Sequence, residues 1–204
     1  MNKIAVVVLA AGNAKRLGRS KQLLPWGNST LLEHIVKNVL TIDAYKFFVV
    51  LGAYSNEIIE KTNLSEATLL INSKWQQGLG SSIASAITEI DNKYSELSAV
   101  LLVLADQPFI SSVHLNAMIK LHLKEKESII ITKKENYKGV PVLFPKKFFG
   151  ELMSLSNDEG AKQIVNRNKN CVKEIVSQDN IADIDTFEAY ETLLKIFNNL
   201  VKNG

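Results

Sequence analysis

The sequence predicts an α/β protein, a Rossmann-like three-layer α/β/α sandwich with a mainly parallel central sheet. Short apolar, β-branched runs alternate with amphipathic segments of helical period, and no linker or internal repeat divides the chain. Such apolar runs are typical of strands buried on both faces. Repeated strand–helix units place successive strands parallel, with helices on both faces of the sheet. We therefore expect residues 1–204 to form a single domain.

The predicted elements follow from local patterns taken in chain order. Strands are expected at residues 4–9, 47–51, 68–71, 100–105, 128–132 and 172–176. Helices are expected to begin at the Thr30–Glu33 capping box, at Ser55, at Ser81, at Ser111 or Ser112, at 156–159 and at 183–186. Residues 133–139 are polar and predict a mobile loop. Residues 140–144 predict only a short extended piece, because Pro141 and Pro145 interrupt the run.

The composition of the chain limits which partners it can bind and in which compartment it is expected. The net charge is only +3, so any basic site must be local, and a nucleic-acid partner is not expected. Cys171 is the only cysteine, which excludes an internal disulfide and a zinc cluster and favours a reducing, cytoplasmic location. The first apolar run is too short for a membrane span or a signal segment. No membrane association is expected.

A basic loop follows the first predicted strand. The strand breaks at Gly12, and Lys15, Arg16 and Arg19 precede Lys21. Glycine lets backbone N–H groups approach phosphates, and cations neutralise phosphate charge. The spacing matches neither a Walker A loop nor a dinucleotide fingerprint. The alternative interpretation is a solvated turn, but the strand exit and the return to apolar sequence at 23–25 favour a polyphosphate site.

Asp106 follows another buried run, at a strand end. Carboxyl ends of parallel strands share one edge of a sheet, which is where ligands bind in α/β folds. The sequence therefore places the cations of the basic loop and this acid on the same rim. A buried carboxylate needs a partner, and Mg²⁺ is one. The alternative is a turn or helix-capping aspartate before Pro108.

Motifs along nearly the whole chain resemble those of the MobA-like NTP transferase family, nucleotidyltransferases with a glycosyltransferase-A-like fold. The motifs are 9–12 (LAAG) with Arg16, Gly18 and 21–26 (KQLLPW), 72–82 (NSKWQQGLGSS), 104–108 (LADQP), 139–144 (GVPVLF), 158–161 (DEGA) and 183–186 (DIDT). The form of the first motif most resembles the molybdenum cofactor cytidylyltransferase branch.

The resemblance implies a role for each motif. The implied nucleotide-binding residues are Leu9, Ala10, Ala11, Gly12, Arg16, Lys21, Asn72, Gly80 and Ser81, of which Arg16 and Lys21, together with Asp106, are also implied to be catalytic. Asp106 and Asp185 are implied to hold Mg²⁺, although Asp183 and Asp185 could instead merely favour the N-terminus of the last helix. Gly139, Pro141 and Asp158 are implied to bind the acceptor.

The activity implied by the resemblance is transfer of CMP from CTP to molybdopterin with release of pyrophosphate. A molybdoenzyme or a cofactor-delivery protein is the implied macromolecular partner. Related sequences often carry His where this chain has Val140, which leaves the acceptor open. GTP in place of CTP, a sugar-phosphate acceptor and a non-catalytic nucleotide-binding role are the alternatives. Lys133, Lys134 and Lys138 are interpreted as a solvated loop, or else as contacts to an anionic acceptor.

Overall fold

The computed structural model describes residues 3–14, 17–156 and 160–203. The strands are β1 Ile4–Ala10, β2 Pro25–Trp26, β3 Ser29–Thr30, β4 Lys46–Leu51, β5 Thr68–Ile71, β6 Ala99–Leu104, β7 Ile129–Lys134, β8 Tyr137–Pro145 and β9 Val172–Val176. The α-helices are α1 Leu31–Leu40, α2 Ser55–Lys61, α3 Leu79–Lys93, α4 Ser112–Lys124, α5 Phe149–Met153, α6 Lys162–Arg167 and α7 Phe187–Asn203. Short 3₁₀ helices cover Lys21–Leu23, Trp75–Gln77, Lys146–Phe148 and Lys169–Cys171.

Seven strands form the central sheet in the order β5-β4-β1-β6-β8-β7-β9. Strands β5, β4, β1 and β6 pair in parallel, and β9 pairs in parallel with β7. Strand β8 is antiparallel to both of its neighbours, β6 and β7. The mainly parallel sheet is therefore confirmed.

Apolar layers cover both faces of this sheet. In β1, Ile4, Val6 and Val8 pack on one face with residues of α1, α2, α4 and α7, and the alternate residues pack on the other with α3, α5 and α6. A strand buried on both faces removes apolar area from water on both sides, which is why its sequence is apolar without alternation. The three-layer sandwich is confirmed.

The expectation of a mobile loop at residues 133–139 was wrong, and the extended piece expected at 140–144 was too short. Residues 133 and 134 end β7, residues 135 and 136 form a turn, and β8 is a nine-residue strand in the interior of the sheet. Proline is tolerated there because the β7–β8 register shifts between Ile131 and Thr132, which leaves Pro141 outside the ladder. The Pro141 carbonyl accepts a hydrogen bond from the Thr132 hydroxyl, and the Val140–Pro141 peptide bond is cis.

Several helix starts also differ from expectation. The Thr30–Glu33 capping box and the Ser111 cap are confirmed. Helix α2 begins after Tyr54, which has a left-handed backbone (φ 59°), so Ser55 is not its cap. Helix α3 begins at Leu79 after Gly78, and Ser81 lies inside the helix. Helix α6 begins at Lys162 without a side-chain cap, and residues 157–159 lie outside the described residues.

Across the described ranges, none of the helices combines the length and the apolar character that a membrane crossing requires.

Gly52, directly after β4, allows three segments to approach closely. A Cβ atom at this position would lie 2.6 Å from the Trp75 Cβ and 2.8 Å from the Ala11 carbonyl oxygen. Both are relatively fixed atoms, so a larger residue would force apart the ends of β1 and β4 and the Trp75 segment.

Gly52→Ala should lower the free energy of unfolding by about 1–3 kcal/mol, the usual cost of overpacking. Denaturant titration measures this difference. The matched control is Gly150→Ala in α5, where a Cβ atom meets nothing within 4 Å. That control should be neutral or stabilising by up to about 1 kcal/mol, because alanine favours helix. Equal stability of the two variants would contradict the close approach at Gly52.

Candidate active site

A cavity of about 450 Å³ lies at the carboxyl ends of β1 and β6. Gly12, Asn13, Lys21 and Gln22 line one side, and the segment leading into α3 lines the other. The lining residues are Leu9, Ala10, Ala11, Gly12, Asn13, Lys21, Gln22, Trp75, Gln76, Gly78, Leu79, Ser82, Leu104, Ala105 and Asp106. We call this space the nucleotide cleft, after the ligand that the sequence resemblance predicts for its residues.

Gln22 fixes the exit of β1. Its buried amide Nε2 donates to the Ala10 carbonyl (2.6 Å) and the Gly12 carbonyl (3.1 Å), and its Oε1 accepts from the Ser20 hydroxyl (3.0 Å). Strand-end carbonyls that leave the ladder need such partners when they are buried. The side chain thereby holds the loop against the strand and directs Lys21 toward the end of β6.

Lys21 lies among three acceptors at the mouth of the cleft. Its Nζ donates to Asp106 Oδ2 at 2.7 Å and to the Ile184 carbonyl at 2.9 Å, and it lies 3.5 Å from Asp185 Oδ1. The side chains of Lys21 and Asp106 are 13% and 21% exposed, whereas that of Asp185 is 60% exposed. The lysine–Asp106 contact is therefore largely removed from water, where an ion pair is screened less.

The carboxylates around Lys21 suit a hard divalent cation. Asp106 Oδ1 is buried and has no hydrogen-bond partner among the described residues. Asp106 and Asp185 already share one cation, the Lys21 ammonium group, so their oxygens converge. No group of three or more potential metal ligands was found in the described ranges. A cation held by these two residues would complete its shell with phosphate and water oxygens, which is typical of Mg²⁺.

Asp183 belongs to the same cluster, although its sequence motif favoured Asp185. The pKa of its carboxyl is raised from 3.8 to about 6, first by desolvation and next by the negative charge of Asp106, while Gln107 and Lys21 act in the opposite direction. The residue keeps an exposed surface, so water and salt will moderate the charge–charge part of this shift. Crowded carboxylates of this kind mark a place where positive charge is favoured.

Asn72, Gly80 and Ser81, which the sequence resemblance implied to bind nucleotide, do not line the cleft. The buried Asn72 amide donates to the Ser81 hydroxyl (3.1 Å) and the Ser82 hydroxyl (3.0 Å), and its oxygen accepts from the Lys74 backbone N–H (2.9 Å). Gly80 and Ser81 are also buried, in the first turn of α3. These residues hold in place the Trp75 segment, which does line the cleft.

The structure describes two of the three residues expected to bind the acceptor. Gly139 lines a second cavity, of about 670 Å³, next to the nucleotide cleft. Pro141 is buried in the sheet. Asp158, like Arg16 in the basic loop, lies outside the described residues.

Several site residues were not singled out from the sequence. Gln22 lies inside the 21–26 motif, so this motif was the available signal. Nothing in the sequence indicated that Leu79 would line the cleft, because an apolar residue at the start of a helix usually packs in the hydrophobic core. Asp183 joins the carboxylate cluster because residues 181–185 pass the end of β6. The spacing of residues in the sequence does not predict that path.

Asp183 should titrate with a midpoint near pH 6 in metal-free buffer, and Asp106→Asn should lower that midpoint because it removes a neighbouring negative charge. NMR of the labelled aspartate carboxyl measures both midpoints. Since the folded pKa exceeds that of an unfolded aspartate, the stability that protonated Asp183 contributes at low pH is lost as pH rises through 6. An unchanged midpoint in Asp106→Asn would contradict the cluster.

Comparison with known proteins agrees with this arrangement. Residues 6–172 match the model of the MobA-like NTP transferase domain. The chain is 25% identical to the molybdenum cofactor cytidylyltransferase of Escherichia coli (strain K12) over 193 residues, which cover 94% of this chain and 96% of that enzyme. It is 32% identical to the nicotine blue oxidoreductase of Paenarthrobacter nicotinovorans over 117 residues, but this match covers only 57% of this chain and 55% of that protein.

A solved structure supports the same assignment. The crystal structure of a Mycobacterium tuberculosis Rv0371c homologue from Mycobacterium sp. strain JC1 superposes with a TM-score of 0.86 at 30% identity, covering 98% of this chain and all of that one. The family match spans most of the chain, from β1 to the start of β9, and so includes both the basic loop and Asp106. The chain belongs to the MobA-like NTP transferase family.

Proposed function

We propose that this chain transfers CMP from CTP to the phosphate of molybdopterin and releases pyrophosphate. Membership of a nucleotidyltransferase family supports the reaction type. The similarity to a molybdenum cofactor cytidylyltransferase over nearly the whole chain supports the two substrates. The observation that carries the proposal is the position of Lys21, at the mouth of a cleft between carboxylates that converge on one cation.

The reaction requires charge stabilisation more than covalent chemistry. An acceptor phosphate oxygen attacks the α-phosphorus, the bond from that phosphorus to the bridging oxygen breaks, and its electron pair leaves with pyrophosphate. No side-chain nucleophile is needed. Lys21 supplies a positive charge toward the triphosphate. Gln22 binds the carbonyls of Ala10 and Gly12, so their negative ends are neutralised next to the expected position of the phosphates.

Asp106 and Asp185 are the residues that would hold a divalent cation, and Mg²⁺ is our choice for it. Such a cation, when bound, neutralises phosphate charge and so favours departure of pyrophosphate. In the protein alone, the Lys21 ammonium group pairs with both carboxylates and so offsets part of their negative charge. We infer that Lys21 would contact the phosphates of a bound nucleotide, and that Asp106 and Asp185 would then be available to the cation.

Three alternatives to the proposed reaction can be distinguished by a single assay. GTP could replace CTP, a sugar phosphate could replace molybdopterin, or the chain could bind nucleotide without turnover. One relative of this chain is a nicotine blue oxidoreductase, so its relatives include a protein that is not named as a nucleotidyltransferase. A cytoplasmic location and a molybdoenzyme or cofactor-delivery partner remain predictions, the first resting on the use of a single cysteine.

The deciding experiment measures pyrophosphate release from each of the four NTPs, with Mg²⁺, in the presence and absence of purified molybdopterin. Release is expected with CTP and only when molybdopterin is present. A preference for GTP would change the assigned base. Binding of CTP without release, in protein that retains Asp106, would favour the non-catalytic alternative.

The same assay tests Lys21 directly. Lys21→Ala should lower turnover at least about tenfold, because one charge-assisted contact contributes about 1.5–3 kcal/mol. The control is Lys61→Ala in α2, where the lysine pairs with Glu57 on an exposed surface and should leave turnover unchanged. Equal turnover in the two variants would remove Lys21 from the mechanism.

A further inference from the structure

A third cavity, of about 450 Å³, lies at the edge of the sheet opposite the nucleotide cleft. Its walls come from the residues before β1, β6 and β7, from the end of β8 and from the end of α4. The nucleotide cleft lies at the carboxyl ends of β1 and β6, so the length of β1, roughly 20 Å for seven residues, separates the two spaces. The volume of the third cavity is in the range of small-molecule sites. We call it the basal cavity.

Lysines outnumber carboxylates among the residues that line the basal cavity. Lys147 Nζ lies 3.1 Å from Glu127 Oε2, and Lys146 Nζ lies 3.1 Å from Asp91 Oδ1, so these two lysines have partners. The charged residues of the walls are Lys3, Lys126, Lys146, Lys147, Glu96 and Glu127.

The other two lysines of the basal cavity are unpaired. Lys3 and Lys126 are exposed, and neither forms an ion pair with any residue that the structure describes. Their long, flexible side chains allow the ammonium groups to move onto a ligand. Among the described residues, Glu96 is the one carboxylate of the walls without a lysine partner. Two unpaired lysines against one unpaired glutamate favour an anion in this cavity.

His122 is a buried polar side chain that lines the basal cavity. It lies in the last turn of α4 and is 3% exposed, and its Nδ1 has no hydrogen-bond partner among the described residues. Buried polar atoms in proteins are nearly always paired, with protein, water or an ion. Burial is the main cause that lowers the pKa of His122, the charge of Lys126 acts in the same direction, and Glu127 opposes both. The ring is therefore neutral at pH 7 and carries one N–H group that can donate to an anion.

We propose that the basal cavity binds the phosphate group of a small molecule, with Lys3, Lys126 and His122 as donors. A phosphate monoester carries up to two negative charges at neutral pH and three strong acceptor oxygens, so each donor can bind one oxygen. A carboxylate has one charge and two oxygens, and it satisfies the same walls less well. Because the two spaces lie at opposite edges of the sheet, a ligand in the basal cavity does not meet the reacting atoms of the proposed CMP transfer.

The ring NMR signals of the three histidines test the proposal in the intact chain. Inorganic phosphate should shift the His122 signals saturably, at a midpoint concentration at least about fivefold lower than that of acetate, because phosphate brings more charge and one more acceptor oxygen. His34 and His114 are internal controls, since neither lines the basal cavity or the nucleotide cleft. Sodium chloride at matched ionic strength measures the general effect of salt. His122 signals that stay unchanged, or that shift equally with phosphate, acetate and chloride, would overturn the proposal.

Substitutions in the walls test the charges with the same His122 signals. Lys3→Met/Lys126→Met should weaken phosphate binding by about fivefold or more, because two attractive charges are lost. Glu96→Gln should tighten binding by about twofold or more, because a repulsive charge is lost, and this variant decides the result if the double variant fails to fold. Lys93→Met is the matched control, because Lys93 pairs with Glu89 on an exposed face of α3 and does not line the cavity. Equal phosphate affinity in the control and in a folded wall variant would overturn the proposal.

Discussion

The contact between Lys21 and Asp106 is the interaction on which the candidate site depends. A carboxylate just beyond a buried strand is costly unless it is paired, and here the pair comes from a residue 85 positions away in sequence. The same ammonium group binds the Ile184 carbonyl, and the Ile184 N–H in turn donates to the Asp106 carbonyl at 3.0 Å. The basic loop, the end of β6 and the segment before α7 are thereby joined at one point.

The sheet explains why a polar and an apolar surface meet there. The parallel half ends in polar and charged groups, with Gln22 and Lys21 beside the end of β1. The antiparallel strand β8 turns the other half into an apolar surface beneath α6. Leu9 belongs to the border between these halves and contacts both cavities. The nucleotide cleft thus lies next to a second, largely apolar cavity.

The sequence predicted the parts of the structure that local patterns encode. Continuous apolar runs identified β1 and β6, and Thr30–Glu33 identified the start of α1, because burial and capping act over a few residues. Strand β8 was missed because the tolerance for Pro141 depends on a register shift against β7. The roles of Asn72 and Gln22 required the fold, because both are defined by what their amides contact.

Asp106 and Asp185 share the Lys21 ammonium group, and the most direct test of this arrangement is the affinity of the protein for Mn²⁺ without nucleotide. Electron paramagnetic resonance of the free ion measures that affinity. In the wild-type protein, Lys21 competes with a metal ion for Asp106, as their 2.7 Å contact indicates. Lys21→Met should therefore bind Mn²⁺ more tightly than the wild type, and Asp106→Asn should bind it more weakly. An unchanged affinity in both variants would contradict the claim that Lys21 occupies the place of a divalent cation between Asp106 and Asp185.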